Sequence, residues 1–463
     1  MEVKISFYLR FIFKLIIFMD FRWGCRKKIY LLTFHFLQKG CLVMKKCLAT
    51  LFLLFTSIVG VNLHGDCDCT PPVDCEEQPF RPQGCLTPLQ NEYKLRYSVV
   101  GERGAMTFIG NTLGLSKADC ENEPGTQGSI GAFTTVDASD VVGTFPSLAA
   151  GVGSPAGTTI DWTENGSSAV LTLPAGITIL YAELVWSGSY GYYCSNPNSG
   201  DPFGVLERCV LDFADGPISF ITPDNVVHPV VADPVTAKIS QNPASDVQPF
   251  YCGGNYVRSQ NVTALLTALG TGYNGTYTVM GVPATVSRFD ATHNAAGWTL
   301  AIVYRDPANT NINNMTFFVG AQQGSRGAIE QPAEVSGFCA APSQTIGQTA
   351  RVLVSAVEGD ANLSGDRMQF GPTMATLTDL SGPNNPVNRF FSSQINDDLG
   401  DLIDTTGTYS IFNQDATTGV NIPNGRQGYD ITNVDASGTI LPNQTAAFAR
   451  GFTVNDDFMI NAL

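Results

Sequence analysis

From about Arg96 onward the chain is cut into short apolar or alternating runs by clusters of Gly, Pro, Asn, Asp and Ser, while helical periodicity is scarce. That cadence is the signature of strands joined by turns. Many short strands at this spacing are best satisfied by antiparallel sheets packed face to face, with side chains alternating between core and solvent. The expectation is an all-β fold: a large antiparallel β-sandwich, which a chain of this length can also build as two packed sub-sandwiches.

The expected strands include Ser168 to Leu173, Ile177 to Trp186, Arg208 to Phe213, Thr276 to Met280 and Trp298 to Tyr304. Met315 to Gly320, Arg351 to Val357, Met374 to Leu377 and Thr445 to Phe452 follow. In the Trp298 run, Trp298, Leu300, Ile302 and Tyr304 fall on one face and Thr299, Ala301 and Val303 on the other, so this strand is expected to be covered on both sides. One short helix is expected over 261–269, from an N-cap at Asn261 or Thr263 to a stop at Gly270. Residues 96–463 form the sandwich region. The Pro and Gly content of 331–347 allows either a subdivision there or a long sandwich loop.

Upstream, Met44 is followed by Lys45 and Lys46, an uncharged apolar run over 48–61, and small polar residues to Gly65. This is the order of a secretory signal peptide, and the run is shorter than the ~20 residues of a membrane-spanning helix. Residues 44–65 are therefore read as a signal peptide. Residues 1–43, apolar but interrupted by Lys4, Arg10, Lys14, Arg22, Arg26, Lys27 and Lys28, are read as a doubtful upstream extension. The rival reading, a membrane segment over 5–19, carries charges near its middle that cost a few kcal/mol each. The expected location is the cell surface, outer envelope or extracellular space.

From Asp66 onward there are 16 Lys plus Arg against 39 Asp plus Glu, a formal charge of −23. Nucleic-acid binding depends on clustered cations, and this balance excludes it as an expected function. Nine cysteines lie in the same stretch. Cys67, Cys69, Cys75 and Cys85 sit in a Pro-rich leader over 66–95; Cys120, Cys194, Cys209, Cys252 and Cys339 are spread through the β region. The leader spacing lacks the paired knuckles of a zinc site, so all nine are disulfide candidates in an exported chain. Their number is odd, so at least one thiol is free or bridges to another molecule; an intermolecular disulfide is expected of the leader.

Several landmarks recur as an ordered set. Tyr181-Ala-Glu-Leu-Val-Trp-Ser-Gly-Ser is similar to an "AYLYWSGSG" strand. Asn261-Val-Thr-Ala-Leu-Leu, Gly275-Thr-Tyr-Thr-Val and Ala296-Gly-Trp-Thr-Leu-Ala-Ile-Val-Tyr-Arg-Asp-Pro look like "DVTALV … GTYTV … AGWSLVVVYEDP". Glu358-Gly-Asp, Gly365-Asp-Arg-Met, Asn388-Arg-Phe-Phe-Ser-Ser and Gly428-Tyr-Asp-Ile continue the series. Over about Arg96 to Phe452 the chain resembles the N-terminal β-sandwich region of bacterial surface proteins with conserved-repeat domains (domain of unknown function eleven). The resemblance implies a structural or adhesive envelope or secreted protein with no catalytic residue to carry over. The cysteine-rich leader departs from that pattern. No repeats or sorting motif follow the matched stretch, which leaves a truncated reading frame and a released protein both open.

Signatures of common chemistries are missing. After Gly65 the histidines are His228 and His293, and there is no H-E-x-x-H, G-x-S-x-G or G-x-x-x-x-G-K-[ST]. A relay built on Asp290 and His293 is weaker than a solvated loop histidine. Asp360-Ala-Asn362-Leu-Ser364-Gly365-Asp366 copies the start of an EF-hand loop, but its twelfth position is Gly371 in place of the bidentate Glu. A looser Ca²⁺ site at Asp360, Asn362, Ser364 and Asp366 is one reading, and an Asx-rich turn is the other. Tyr190, Tyr192 and Tyr193 could form a sugar platform or pack on the sandwich. Six N-x-[ST] triplets, at Asn165, Asn261, Asn274, Asn314, Asn362 and Asn443, are expected chance products of an Asn/Thr-rich chain.

The sequence thus points to a non-enzymatic, disulfide-stabilised envelope or secreted β-sandwich protein. Its expected partners are other envelope proteins or host and cell-surface ligands. The alternatives are a calcium-assisted carbohydrate-binding module and a glycoside hydrolase.

Overall fold

The computed structural model describes residues 14–23, 26–35, 92–118, 126–136, 157–193, 210–240, 251–286, 294–326, 330–340, 350–360, 363–401 and 426–463. The proposed signal peptide, most of the leader and Cys67, Cys69, Cys75, Cys85, Cys120, Cys194 and Cys209 lie outside these residues. Two compact units are present, Met1–Asp68 and Cys69–Leu463. The first contains an antiparallel hairpin of β1 (Lys14–Trp23) and β2 (Arg26–His35).

The second unit continues with β3 (Glu92–Glu102), β4 (Gly104–Thr112), β5 (Gly114–Ala118), β6 (Thr126–Thr134), β7 (Thr158–Thr159), β8 (Gly166–Leu171) and β9 (Thr178–Tyr193). A single turn of helix, α1 (Val210–Phe213), precedes β10 (Ile218–Ile221), β11 (Val227–Val230), β12 (Lys238–Ile239) and β13 (Tyr251–Asn261). After α2 (Thr263–Ala268) come β14 (Gly275–Met280), β15 (Ala296–Arg305), β16 (Asn313–Gly324), β17 (Ala333–Ser336) and β18 (Arg351–Val357). The last strands are β19 (Arg367–Gly371), β20 (Thr378–Asp379), β21 (Arg426–Gln427), β22 (Tyr429–Asp435), β23 (Ala446–Phe452) and β24 (Phe458–Ala462).

These strands build four antiparallel layers. Sheet I has the order β11-β10-β14-β8 and sheet II the order β12-β13-β9-β15-β4. Sheet III runs β22-β18-β24-β16-β3 and sheet IV runs β17-β23-β19-β20. A further small sheet, β21-β5-β6-β7, contributes Ile130 and Phe133 to the edge of the first core, beside Leu113 at the β4–β5 junction.

Three apolar cores fix the stacking order. Ala169, Phe220, Tyr277 and Val279 of sheet I meet Leu184, Trp186, Trp298, Leu300 and Ile302 of sheet II. Phe108, Tyr181, Val185, Ala301 and Val303 on the opposite face of sheet II meet Phe317, Val319, Leu353, Ile431 and Met459 of sheet III. Val352, Val354, Phe458 and Ile460 on the far face of sheet III meet Met368, Phe370, Ala447 and Ala449 of sheet IV. The fold is therefore two β-sandwiches, I/II and III/IV, joined through sheets II and III. β15 shows why: its odd and even positions are both apolar, as the sequence pattern required, and each face finds its own core. Burying each large apolar side chain contributes roughly 1.5–3 kcal/mol.

Polar side chains also cross the layers. Trp298 Nε1 donates to Ser167 Oγ at 2.9 Å, tying sheet II to sheet I. Between II and III, Asn461 Nδ2 donates to Ser187 Oγ at 2.7 Å, and within III it donates to the Tyr429 hydroxyl at 3.0 Å. Arg96 of β3 donates to buried Glu183 of β9 at 2.9 Å, and Tyr97 stacks on Tyr181 with ring centroids 4.8 Å apart. Such satisfied buried groups fix one registry between the sheets.

Two expected strands are corrected. Arg208 to Phe213 is not extended: residues 210–213 form α1, because Val210 and Ala214, four apart, share one buried side while Phe213 packs on Trp162. Met374 to Leu377 is a turn closed by Thr376 N–H to Thr373 O at 3.1 Å, with Met374 exposed beyond Pro372 and the strand β20 beginning only at Thr378. The expected helix at 261–269 is present as α2. Asn261 Oδ1 accepts the N–H of Thr263 at 3.0 Å, and Gly270, at φ +59°, ends the element. Within 331–347, β17 pairs with β23. Among the described residues no helix is long and apolar enough to cross a membrane.

Candidate functional site: a buried acidic cluster

The residues of the EF-hand-like motif lie between β18 and β19, so the loop joins two strands in place of two helices. The chain leaves β18 at Glu358, a non-glycine residue at φ +80°, and passes through Gly359. A Cβ on Gly359 would lie 2.5 Å from Asp430 Oδ2 and 2.9 Å from Phe391 Cβ, so only glycine fits. Asp360 follows. After Leu363 and Ser364 the chain turns at Gly365 and enters β19 through Asp366.

The tight turn between β23 and β24 is brought against this loop. Thr453 Oγ accepts the N–H of Asp456 at 3.0 Å and donates to Asp366 Oδ1 at 2.6 Å. Asp456 Oδ2 accepts the N–H of Asp360 at 3.0 Å, and Asp456 Oδ1 accepts the N–H of Asp457 at 2.8 Å. Nearby, Asp430 Oδ1 accepts the N–H groups of Ser392 and Gln394 at 2.9 and 2.8 Å.

Glu358, Asp360, Asp366, Asp430 and Asp456 are thus all buried, with exposures of 1, 9, 0, 1 and 2 %. Burial, and then the neighbouring acids, push Asp360 and Asp456 up. Burial also raises Asp366 and takes Asp430 to about 8. Arg326 supplies positive charge at the rim, donating to Asn455 O at 2.8 Å and lowering Asp360 against the larger effects of burial and Asp366. Asp360 Oδ1, Asp366 Oδ2 and Asp430 Oδ2 are buried and have no hydrogen-bond partner among the described residues.

The structure brings Asp360 and Asp366 together but not the whole motif. Ser364 is exposed and contributes its carbonyl to Asn455 Nδ2 at 3.2 Å; Asn362 lies outside the described residues. Asp456 enters from 96 positions further along the chain. The local signal that could have flagged it is the Thr453-x-x-Asp456 turn between two strands. Among the described residues, no group of three or more His, Cys, Asp and Glu could hold a metal ion.

Other candidates resolve as follows. Tyr190 is buried and donates to Ser240 O at 2.6 Å, so it belongs to the packing; the side chains of Tyr192 and Tyr193 lie outside the described residues. His228 lies 3.1 Å from Thr222 Oγ on β11, and His293 is outside the described residues. Cys339 is exposed and a free thiol among the described residues; the side chain of Cys252, on β13, is outside them. Asn165 is fully buried, its amide donating to Val282 O at 2.8 Å, so it is closed to modification in the folded chain. No protein-family model, no curated protein and no solved structure matches this chain.

Proposed function

We propose that the chain is a non-enzymatic, exported β-protein serving as structural or adhesive material at the cell envelope or outside it, akin to bacterial surface proteins with conserved-repeat domains. The observation that supports this most is the four-layer stack. Sheets II and III are covered on both faces, so most side chains on these strands are engaged in packing, as suits a rigid block. The export-type segment at 44–65 and the cysteine-rich leader support an oxidising location, and exposed Cys339 offers one accessible sulfur. Its partners on this reading are other envelope proteins or cell-surface ligands, some held through intermolecular disulfides.

Fractionation followed by non-reducing electrophoresis tests the proposal. The protein is expected in the envelope or medium, partly in species that collapse to the monomer on reduction. A soluble pool in the reducing cell interior, or turnover of a polysaccharide by the purified chain, would overturn it.

A further inference from the structure

We propose that the outer face of sheet I pairs with the same face of a second copy of this chain. Alternation fixes which side chains that face carries. On β8, β10, β11 and β14 the inward positions, among them Ala169, Phe220, Val230 and Tyr277, belong to the first core, so their neighbours point away from it. Register sets Val227, Ile221, Thr278 and Ser168 in one row across all four strands. Pro229, Ser219 and Met280 make the row on one side of it, and Thr276 and Val170 the row on the other. None of these positions holds a charged residue or a histidine, and Val170 and Val227 are 39 and 57 % exposed. Sheet IV, the other outer layer, differs: Glu334, Arg367, Asp379 and Arg450 stand on its solvent face, with Arg367 donating to Asp379 at 3.2 Å and Arg450 to Gln369 at 2.7 Å.

Charge selects the occupant. From Asp66 onward the chain carries a formal charge of −23, so two copies repel over most of their surfaces. A two-fold contact sets a patch against itself, and any net charge in it meets the same charge. The uncharged face of sheet I is where a second acidic copy approaches at least cost, whereas a cationic partner gains nothing from it. Strand addition at the edges of the sheet is blunted instead. Pro229 on β11 lacks a ladder N–H, and Asn111 Nδ2 of β4 donates to Ser168 O on β8 at 2.8 Å. Four strands about 4.8 Å apart, crossed by three rows about 7 Å apart, give a patch of roughly 400 Å². Two such faces bury about 800 Å², short of the ~1,200 Å² at which stable complexes begin, so the pairing is reversible and fills only where copies are concentrated.

The test is sedimentation velocity on the purified full chain, its accessible thiols alkylated, from micromolar to millimolar concentration. Reversible dimers are expected at the upper end, and more of them as NaCl screens the repulsion between acidic chains. Val170→Lys and Ile221→Lys are each expected to weaken dimerisation roughly tenfold or more, because each brings like charges into an uncharged contact. Ser336→Lys, on the solvent face of sheet IV, is expected to leave it unchanged. An equimolar mixture of Ile221→Lys and Ile221→Glu chains is expected to dimerise again. A wild-type chain that stays monomeric at millimolar concentration would overturn the proposal and leave the face to a different partner. Dimers that survive both lysine variants, or that are lost equally in Ser336→Lys, would place the contact elsewhere, and a mixture that fails to recover would overturn the like-to-like arrangement. Should a lysine variant fail to fold, the wild-type concentration series still decides. With thiols blocked, a negative result leaves the disulfide-linked envelope reading to its own test.

Discussion

Replacing Gly297 by Ala tests whether sheets II and III meet as described. Gly297 lies in β15, between Ser187 of β9 and Thr112 of β4, directly over the ring of Tyr429 from sheet III. A Cβ there would sit 2.3 Å from Tyr429 Cγ and 2.4 Å from Cδ2, so the ring must retreat by more than an ångström. It has nowhere to go: Tyr429 is wholly buried, and its hydroxyl meets Thr299 Oγ at 3.1 Å and Asn461 Nδ2 at 3.0 Å. Overpacking of this kind costs about 1–3 kcal/mol, and two weakened hydrogen bonds add about 1 kcal/mol each. Gly297 is absent from the positive-φ residues, so Ala meets no backbone strain and recovers about 0.4–1 kcal/mol through the unfolded chain. The net expectation is a loss of about 2–4 kcal/mol. In urea, with m of about 3 kcal/mol per molar, the midpoint falls by roughly 1 M at unchanged m. Tyr429→Ala should be destabilising alone but should relieve the clash, so the double variant falls short of the summed losses by about 1–3 kcal/mol. A wild-type midpoint for Gly297→Ala, or additivity of the two changes within about 0.5 kcal/mol, would refute the contact between the sandwiches.

Three further perturbations probe other parts of the stack. Ile460→Asp places a carboxylate at a wholly buried position of β24; a loss above about 4 kcal/mol is expected, read as the disappearance of near-ultraviolet circular dichroism, and a cooperatively melting variant would contradict it. Glu183→Ala removes the acceptor of Arg96, Ser259 and Tyr181 at a buried position and should cost about 3–5 kcal/mol, with Arg96→Met in the same chain restoring part of it; a larger loss in the double variant would argue against the pair. Burial raises the tyrosine hydroxyls of Tyr93, Tyr256 and Tyr277, and takes Tyr429 to about 12. Because these folded values exceed the unfolded value near 10, their stabilisation is complete below about pH 10 and is lost as pH rises through the folded values. Tyrosinate absorbance should therefore show a fraction of tyrosines ionising in one step together with alkaline unfolding; full ionisation near pH 10 with the fold intact would be inconsistent with their burial.

Much of the fold was legible because strand periodicity is local. The alternation in Trp298 to Tyr304 was enough to place both faces of β15 against apolar layers, and the cores on either side bear it out. The same period rule misled at Arg208 to Phe213, where four residues can satisfy a helical or an extended pattern and packing against Trp162 decided. The candidate site was half legible. Asp360 and Asp366 stand in one short motif, but Asp456 joins them through strand order, which local sequence does not encode. Strand order also hid the role of β24: Phe-Met-Ile-Asn-Ala reads as any short apolar run, yet it occupies the middle of sheet III.

That central position shapes how the two sandwiches depend on each other. β24 pairs with β16 on one side and β18 on the other, while β3, which precedes every strand of sandwich I/II, lies at the far edge of the same sheet. β21, from the region between β20 and β22, pairs back to β5 near the start of the unit. No single cut along the chain separates I/II from III/IV, so the layers are interlocked through pairings distant in sequence. Topology of this kind folds slowly, since loop-closure entropy is lost before the contacts that offset it form. Until β24 docks, the facing edges of β16 and β18 carry unpaired N–H and C=O groups and the apolar faces of sheet III are incomplete. The acidic balance beyond Asp66 is of the kind that keeps chains apart by mutual repulsion. The buried acids at 360, 366 and 456 are exempt from that role. They are brought together only when the β23–β24 turn is in place, through the Asp360 N–H to Asp456 and Thr453 to Asp366 hydrogen bonds.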